Sequence, residues 1–294
     1  MSRAPYIDYG STPPVPEIRK TAPHLANYRR VYRASERAAV APADEKVDAP
    51  KTDTLEDYLA AYEAANARHV VIKARDLETT FNFKIRNEDV AKFCQDHGPR
   101  FIGFAGVDPN KGMPAIRELE HAVKELGLRG LNLQCFELKL RINDPKMYPL
   151  YAKCIELDIP VNIHCSTNFS TATGMDYGRP VYLDEVMVHF PELKVVAAPP
   201  GFPWVDELIA VAWRHANVNI GLVAIRHKYL NVPNSGYEML LQYGNSVLQD
   251  QVIYGSAYPM MPVERSLAEI DDLPLKDGVR QKWLHDNAAR LLGI

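Results

Sequence analysis

The sequence predicts an α/β protein, a (β/α)8 TIM barrel formed by a single domain over residues 1–294. Eight short runs rich in β-branched and aromatic residues alternate with segments of helical pattern, and strands that alternate with helices indicate parallel βαβ units. Eight such units close a barrel. A chain of 294 residues suits one domain of this type, and no internal repeat or low-complexity tract marks a second one.

The predicted strands follow one another at the spacing of a barrel. They are residues 4–9, 69–73, 100–107, 129–134, 160–165, 193–198, 217–223 and 250–256. A polar insert over 11–54, with a predicted helix at 25–40, separates the first two strands. Thr54 is the predicted N-cap of the next helix, because threonine favours that position. Further helices are predicted from Asn87, at 113–126, 146–157, 182–190, 204–216 and 237–245, and twice before the C-terminus.

Composition is that of an ordinary globular protein, with 47% hydrophobic and 24% charged residues. The net charge of -3 favours neither nucleic acid nor an anionic membrane, and no apolar run approaches the roughly 18 residues of a membrane span. The first 20 residues lack the apolar segment of a secretory signal. The four cysteines form no CxxC pair. A cytoplasmic protein with reduced thiols is therefore expected.

Candidate functional residues are sought at the C-terminal ends of the strands, where TIM barrels place their active sites. His164 is the strongest, because an imidazole at the mouth can act as an acid or a base. Asp8 is a candidate for positioning a substrate, and Arg75 suits a substrate carboxylate. Each also has a structural interpretation, as a hydrogen-bonded or ion-paired side chain. The predicted binding residues are Asn132, Gln134, Ser166, Asn168 and Trp204.

Six stretches of the sequence together resemble the amidohydrolase-related family, in the branch that includes aromatic-acid decarboxylases. They are YIDYGSTPPVPE, FIGFAGVDPNKGM, GLRGLNLQCFE, PVNIHCSTNFS, HFPELKVVAAPPGFPW and VIYGSAYP, in order along nearly the whole chain. The resemblance implies the barrel of a metal-dependent hydrolase with a catalytic metal at its mouth. It also implies the ligands: a His-x-His pair after the first strand, single histidines after the fifth and sixth, and an aspartate after the eighth.

This chain departs from that ligand pattern at most of its positions. The His-x-His pair falls on Gly10 and Thr12, the sixth-strand histidine on Pro199 and the eighth-strand aspartate on Ala257, so that only His164 matches. A catalytic divalent ion usually needs about three protein ligands, and no metal is therefore expected in this chain. A different metal site stays open as an alternative, rebuilt from His164, Cys165, Cys135 or His227.

Two functional hypotheses follow. In the first, the chain is an accessory subunit, similar to the small subunit of two-component 2-aminoisobutyrate hydroxylase-type enzymes. That resemblance implies a metal-bearing homologue as partner, a dinuclear transition metal in the partner and a monooxygenase reaction in the complex. In the second, the chain is a metal-independent hydrolase or decarboxylase for a small carboxylated substrate. His164 is then its acid or base, and Asp8 or Arg75 positions the substrate.

Overall fold

Eight parallel strands form a barrel in the computed structural model, which describes residues 3–27 and 54–294. The strands of the chain are β1 (Tyr6–Ser11), β2 (Ala67–Lys73), β3 (Arg75–Leu77), β4 (Phe83–Ile85), β5 (Phe101–Gly106), β6 (Leu131–Leu133), β7 (Val161–Ile163), β8 (Val195–Ala197), β9 (Val218–Leu222) and β10 (Val252–Tyr254). The barrel order is β1-β2-β5-β6-β7-β8-β9-β10. A parallel bridge between Ser11 and Tyr258 closes its seam. The predicted (β/α)8 barrel is confirmed.

The helices surround this barrel and confirm the predicted alternation. Their bounds are α1 (Leu55–Ala64), α2 (Glu78–Phe81), α3 (Asn87–His97), α4 (Met113–Lys124), α5 (Cys135–Leu138), α6 (Tyr148–Glu156), α7 (Val181–His189), α8 (Val205–Arg214), α9 (Glu238–Gly244), α10 (Val263–Asp271), α11 (Val279–Gln281) and α12 (Asn287–Leu292), with 3-10 turns at Pro23–Leu25, Pro109–Lys111, Met175–Gly178 and His227–Asn231 and a π-helix at Lys282–Asp286. Within the described ranges, none of them has the length and apolar character needed to cross a bilayer. Most of the helix predicted at 25–40 lies outside the described residues.

The N-terminus of α1 confirms the capping role predicted for Thr54. The Thr54 hydroxyl accepts a hydrogen bond from the Asp57 backbone N–H at 3.1 Å, and the Asp57 carboxylate accepts one from the Thr54 N–H at 3.1 Å. This reciprocal pair satisfies two backbone donors that a helix N-terminus otherwise leaves without partners. The cap therefore fixes where the chain enters α1 after the insert.

An antiparallel hairpin of β3 and β4 follows the second barrel strand and was not predicted. Arg75 pairs with Ile85, and Leu77 pairs with Phe83. Each strand has three residues, which is too short for an alternating hydrophobic pattern to be recognised. The hairpin places Arg75 and Asp76 at the rim of the barrel, directly beyond the end of β2.

Side chains of the barrel strands alternate between two cores, as the two-residue period of a strand requires. Inward-facing residues form a small cluster that includes Ile7, Tyr9, Val71 and Phe104. Residues of α12 join this cluster, and Asn287 donates to the carbonyl of Val252 at 2.8 Å. The C-terminal helix therefore closes the barrel at the N-terminal ends of its strands, and the opposite end forms the mouth.

The segment of residues 13–27, called the strap below, crosses the mouth from β1 towards β6 and β7. At its start, Arg19 donates to the carbonyl of Thr12 at 2.9 Å. Farther along, Asn27 donates to the carbonyl of Phe169, in the loop after β7, at 2.8 Å. Because β1 and β7 lie on opposite sides of the barrel, the strap covers the side chains at the mouth.

Candidate functional site

Lys73, the last residue of β2, points into the barrel at the level of the mouth. Its ammonium donates to Asn162 Oδ1 at 3.1 Å and lies 4.6 Å from the centroid of the Tyr9 ring. Val71 belongs to the inward-facing cluster, and residues two apart on a strand share a face, so β2 directs Lys73 inward. Lys73 is not among the site residues predicted above, although this alternation in HVVIK was the signal that could have identified it.

A chain of side-chain amides surrounds the Lys73 contact and fixes its geometry. Asn162 Nδ2 donates to Asn132 Oδ1 at 2.9 Å, and Gln134 Nε2 donates to the same oxygen at 3.0 Å. Asn132 Nδ2 in turn donates to the carbonyl of Ala74 at 2.9 Å. These donations leave Asn162 Oδ1 as the acceptor for Lys73. Two predicted binding residues, Asn132 and Gln134, thus lie in one network with Lys73.

The electrostatics of this network favour the neutral form of Lys73. Within residues 3–27 and 54–294, no carboxylate forms an ion pair with its amine. Burial of the amine lowers its pKa to about 7, and the more distant charge of Asp8 opposes this only in part. A large share of Lys73 is therefore the free amine at neutral pH, and a free amine is a nucleophile and a base.

His164 lies at the mouth as predicted, directly after β7. The side chain is 4% exposed, and its ring packs edge-to-face on Phe136 at a centroid distance of 4.6 Å. Burial lowers its pKa to about 4, although the nearby Glu137 carboxylate raises it. Nδ1 has no hydrogen-bond partner among the described residues. His164 is thus a neutral imidazole at pH 7, and its Nδ1 is buried against Gly178.

Arg75 reaches the mouth from β3, but an internal carboxylate occupies its guanidinium. Its Nε donates to Glu137 Oε2 at 3.1 Å, and an Nη donates to the other carboxylate oxygen, which forms a bidentate pair. His24 of the strap contacts the same carboxylate at 3.0 Å and stacks on Phe81. Glu137 is fully buried. Arg75 therefore holds Glu137 and the strap in place, and the predicted contact with a substrate carboxylate has a competitor within the protein.

Asp8 lies at the seam of the barrel rather than in the mouth. Its carboxylate accepts bonds from the backbone N–H groups of Gly10 and Ser256 at 3.1 and 2.9 Å. It also accepts from the hydroxyls of Tyr62 and Ser256 at 2.8 and 2.6 Å. Burial raises the pKa of Asp8, and these four bonds lower it only in part. The structural interpretation weighed above accounts for these contacts, because Asp8 ties β1 to β10.

The remaining predicted binding residues use polar groups to stabilise the loops after β7 and β8. Ser166 donates to the carbonyl of Phe202 at 2.9 Å, and Asn168 donates to the carbonyl of Gly174 at 3.1 Å. Trp204 stands at the start of α8, and its backbone N–H donates to Gly201 at 2.6 Å. The structure thus assigns these residues to the loops after β7 and β8 and does not bring them into the Lys73 network.

The positions that would carry the implied metal ligands offer a poor donor set. Gly10, Pro199 and Ala257 have no side-chain donor, and a Cβ built at Gly10 would lie 3.0 Å from Val223 and 3.6 Å from Lys73 Nζ. Within residues 3–27 and 54–294, no three His, Cys, Asp or Glu side chains are grouped to hold one ion. These residues do not fit the implied metal.

The alternative metal site is not assembled among the described residues either. Cys135 and Cys165 are fully buried, and burial raises the pKa of Cys135 to about 12 and raises that of Cys165 as well. His227 bonds to the carbonyl of Leu222 at 3.0 Å and to Ser266 at 3.3 Å. Protonated thiols and an imidazole engaged outside the mouth are poor ligands.

Comparison with known families and structures extends the description of the fold. A family model described as Amidohydrolase matches residues 15–294. An uncharacterised TIM-barrel protein from Bordetella bronchiseptica is 27% identical over 99% of both chains, with a TM-score of 0.80. At lower identity, the structures are similar to 2,6-dihydroxybenzoate decarboxylase from Rhizobium (15%, TM-score 0.64, 100% of this chain and 99% of that one) and to 5-carboxyvanillate decarboxylase from Sphingomonas paucimobilis (18%, TM-score 0.63, 100% of both). These two likenesses concern the fold alone.

One curated relative matches over a shorter stretch. The 2-amino-3-carboxymuconate-6-semialdehyde decarboxylase of Dictyostelium discoideum is 28% identical over 78 residues, which is 26% of this chain. The match covers 22% of the length of that relative. Decarboxylases thus recur among the similar proteins, but the activity of this chain does not follow from the match.

Proposed function

The chain belongs to the amidohydrolase family, and we propose that it is a metal-independent enzyme that removes a carboxyl group from a small substrate at the barrel mouth. The observation that carries the proposal is the position of Lys73. Its amine lies in the interior, 3.6 Å from the point where a side chain would begin at Gly10. The family pattern has a metal-binding histidine at Gly10, so this chain has a cationic or basic amine where a ligand would extend.

The chemistry of decarboxylation suits this arrangement. When carbon dioxide leaves, the substrate keeps an electron pair, and donors that are already oriented towards that charge lower the barrier. Lys73 supplies an amine whose orientation is fixed by Asn162. His164 supplies a neutral imidazole at the end of β7, and an imidazole can hold or transfer a proton. The strap crosses the mouth, and the burial of the groups beneath it strengthens such interactions.

The relatives support this reaction class in preference to hydrolysis. Aromatic-acid and related decarboxylases are prominent among the proteins that the chain is similar to. A shared fold does not establish a shared reaction, and the proposal therefore depends on the mouth residues. Neither Asp8 nor Arg75 has a catalytic role in it, since the first joins the seam and the second binds Glu137.

The accessory-subunit hypothesis remains the second candidate, and the donor-poor mouth favours it. Gly10, Pro199 and Ala257 cannot hold a metal, so a chain of this kind would act beside a metal-bearing homologue with a dinuclear transition metal. In that case the barrel contributes a surface for assembly, in the manner of a 2-aminoisobutyrate hydroxylase-type complex. The two candidates differ in one respect that is easily measured, because only the first gives turnover by the purified chain alone.

The test measures carbon dioxide release by the purified protein from a panel of aromatic and aliphatic carboxylic acids. The assay is run with a chelator and with added Mn²⁺ or Zn²⁺. We expect turnover that the chelator leaves unchanged and that falls in His164→Ala, while His189→Ala, a change at an exposed histidine, serves as the matched control. Turnover that requires added metal would overturn metal independence, and turnover that requires a second barrel chain would favour the accessory subunit.

A further inference from the structure

We propose that Lys73 is a covalent catalyst that forms an imine with the carbonyl carbon of a β-keto acid. The inference rests on the proposed function, because the carboxyl group of that acid is the one removed. It goes further by assigning the substrate class and the atom that bonds to it. The reason is chemical: decarboxylation without a metal needs an acceptor for the electron pair, and a protonated imine on the neighbouring carbon is such an acceptor.

The contacts of Lys73 differ from those of a lysine that stabilises a fold. The described residues offer its amine one acceptor, the neutral amide oxygen of Asn162. The amine also lies over the face of the Tyr9 ring. The ring face favours the ammonium through a cation–π contact, but less than a carboxylate within hydrogen-bond distance would, and burial outweighs it, so that the pKa is lowered. A lysine must be uncharged to attack a carbonyl.

A glycine lies beside the amine, and the partly exposed Lys73 side chain gives access to it from the mouth. Gly10 presents no side chain towards Lys73, and its surroundings include the methyl groups of Val223. Part of the Lys73 side chain remains exposed at the mouth. A small substrate can therefore reach the amine from the mouth, and the apolar methyl groups of Val223 beside Gly10 further disfavour charge on the nitrogen. Any larger residue at position 10 would be directed at this approach.

A proton donor lies in the same part of the barrel interior. The Tyr9 hydroxyl is fully buried and has no hydrogen-bond partner among the described residues. Burial raises its pKa, so the hydroxyl stays protonated at neutral pH. A buried hydroxyl without a partner is costly in a folded protein, and a bound polar molecule would satisfy it. The Tyr9 ring also contacts Lys73, which places this residue directly beside the amine.

The proposed sequence of steps is balanced. The neutral Lys73 amine adds to the ketone carbon, a C–N bond forms, and the carbonyl oxygen leaves as water; one proton taken up from solvent in this step gives a protonated imine. The bond between the α-carbon and the carboxylate then breaks, carbon dioxide leaves, and the electron pair forms the C=C bond of an enamine. The enamine carbon takes up one proton, from Tyr9 or from water. Water hydrolyses the resulting imine, which releases the ketone and regenerates Lys73, without any oxidant or reductant.

The experiment traps the imine on the intact protein. The protein is incubated with acetoacetate and sodium cyanoborohydride, which reduces an imine to a stable secondary amine, and the modified peptides are identified by mass spectrometry. We expect one dominant adduct on Lys73, its loss in Lys73→Arg, and its retention in Lys84→Arg. Adducts spread evenly over surface lysines, with Lys73 unmodified, would overturn the inference. Because peptide mapping of the wild type locates the adduct, the test does not depend on the folding of a variant.

A parallel measurement of carbon dioxide release separates this inference from the proposed function. If Lys73→Met, checked for folding by circular dichroism, still releases carbon dioxide at the wild-type rate, the imine is excluded and the decarboxylase proposal stands. If acetoacetate is trapped on Lys73 but neither it nor any acid of the panel loses carbon dioxide, the covalent site stands and the decarboxylase proposal fails. If Lys73→Met loses both the trapped adduct and carbon dioxide release, the result supports the imine and the decarboxylase proposal together.

Discussion

Two groups of lysines lie near the end of the second barrel strand, and their surroundings are opposite. At the rim, Lys84 lies 2.8 Å from Asp76 and 2.8 Å from Glu118, and Lys111 also pairs with Asp76. Burial lowers the pKa of Lys84, but the two carboxylates outweigh it and raise the pKa above its ordinary value. In the interior, Lys73 has an amide partner and a pKa of about 7.

This difference shows how a partner decides what a lysine does. A carboxylate within hydrogen-bond distance keeps the ammonium charged, so Lys84 and Lys111 join the hairpin to its surroundings and stabilise the fold. An amide accepts a hydrogen bond without supplying charge, so Lys73 loses its proton more easily and gains reactivity. The predictions below alter one side of the comparison at a time.

The largest effect is expected from Lys73→Met. Removal of the amine should lower turnover by more than about 100-fold, because the nitrogen that forms the imine is then missing. The free energy of unfolding should stay unchanged or rise, since a desolvated amine gives way to an apolar chain of similar length. Steady-state kinetics and urea unfolding measure the two quantities. A variant that unfolds readily would show that the amine has a structural role.

Asn162→Asp should convert Lys73 into a paired lysine. A carboxylate 3.1 Å from the amine would raise the pKa of Lys73 by about 1–3. The neutral fraction of Lys73 at pH 7 should fall by up to about 10-fold for each unit by which its pKa rises. The rate of imine trapping should fall with it. The lost bond to Asn132 should cost about 1 kcal/mol of stability. Trapping at an unchanged rate would mean that the charge state of Lys73 does not limit the reaction.

Asp76→Asn tests the paired side of the comparison. The Asp76 side chain is fully buried between two lysines, so the loss of its charge should lower the free energy of unfolding by about 2 kcal/mol at pH 7. Burial raises the pKa of Asp76, but Lys111 and Lys84 outweigh it and lower the pKa below the ordinary 3.8. The stabilisation is therefore present above pH 3.8 and lost as the pH falls through the lowered value. Urea unfolding at several pH values should show that the difference in free energy of unfolding between wild type and variant disappears at acidic pH. Turnover at pH 7 should stay that of the wild type.

The smallest effect is expected from Asp8→Asn at the seam. An amide can accept from the two backbone N–H groups and donate to the two hydroxyls, so the fold should tolerate the change. Because the folded-state pKa of Asp8 is raised, its contribution to stability is present at low pH and is lost as the pH rises through that value. The free energy of unfolding of the variant should therefore rise relative to that of the wild type as the pH rises, by at most about 1.4 kcal/mol per pH unit. If urea unfolding of the two proteins gives a difference in free energy that is the same at every pH, the pKa of Asp8 is not raised.

The sequence was sufficient for the parts of this comparison that depend on local pattern. Eight alternating units predicted the barrel, and the position of His164 after a buried strand placed it at the mouth. The same alternation makes Lys73 face inward with Val71. The sequence could not show that Lys73 has no carboxylate partner among the described residues, because ion pairs join residues that are far apart along the chain. Arg75 meets Glu137 and Asp8 meets Ser256 only once the barrel closes.

The short elements of the rim were also beyond prediction from the sequence. The hairpin strands have three residues each, and no periodic pattern identifies segments of that length. That hairpin carries Arg75 towards Glu137, which removes the guanidinium from the set of free cations. Arg75, which follows β2 directly in the sequence, was therefore a weaker indicator of function than Lys73, which lies within that strand.

The reactivity of Lys73 should differ from that of the paired lysines of the rim, Lys84 and Lys111. Competitive labelling of the native protein with acetic anhydride across a pH series, followed by peptide mass spectrometry, gives the reactivity of each lysine separately. We expect Lys73 to reach half of its maximal reactivity near pH 7, and Lys84 to react only above the ordinary lysine value of 10.5. A reactivity of Lys73 that rises together with that of exposed lysines near 10.5 would contradict this expectation.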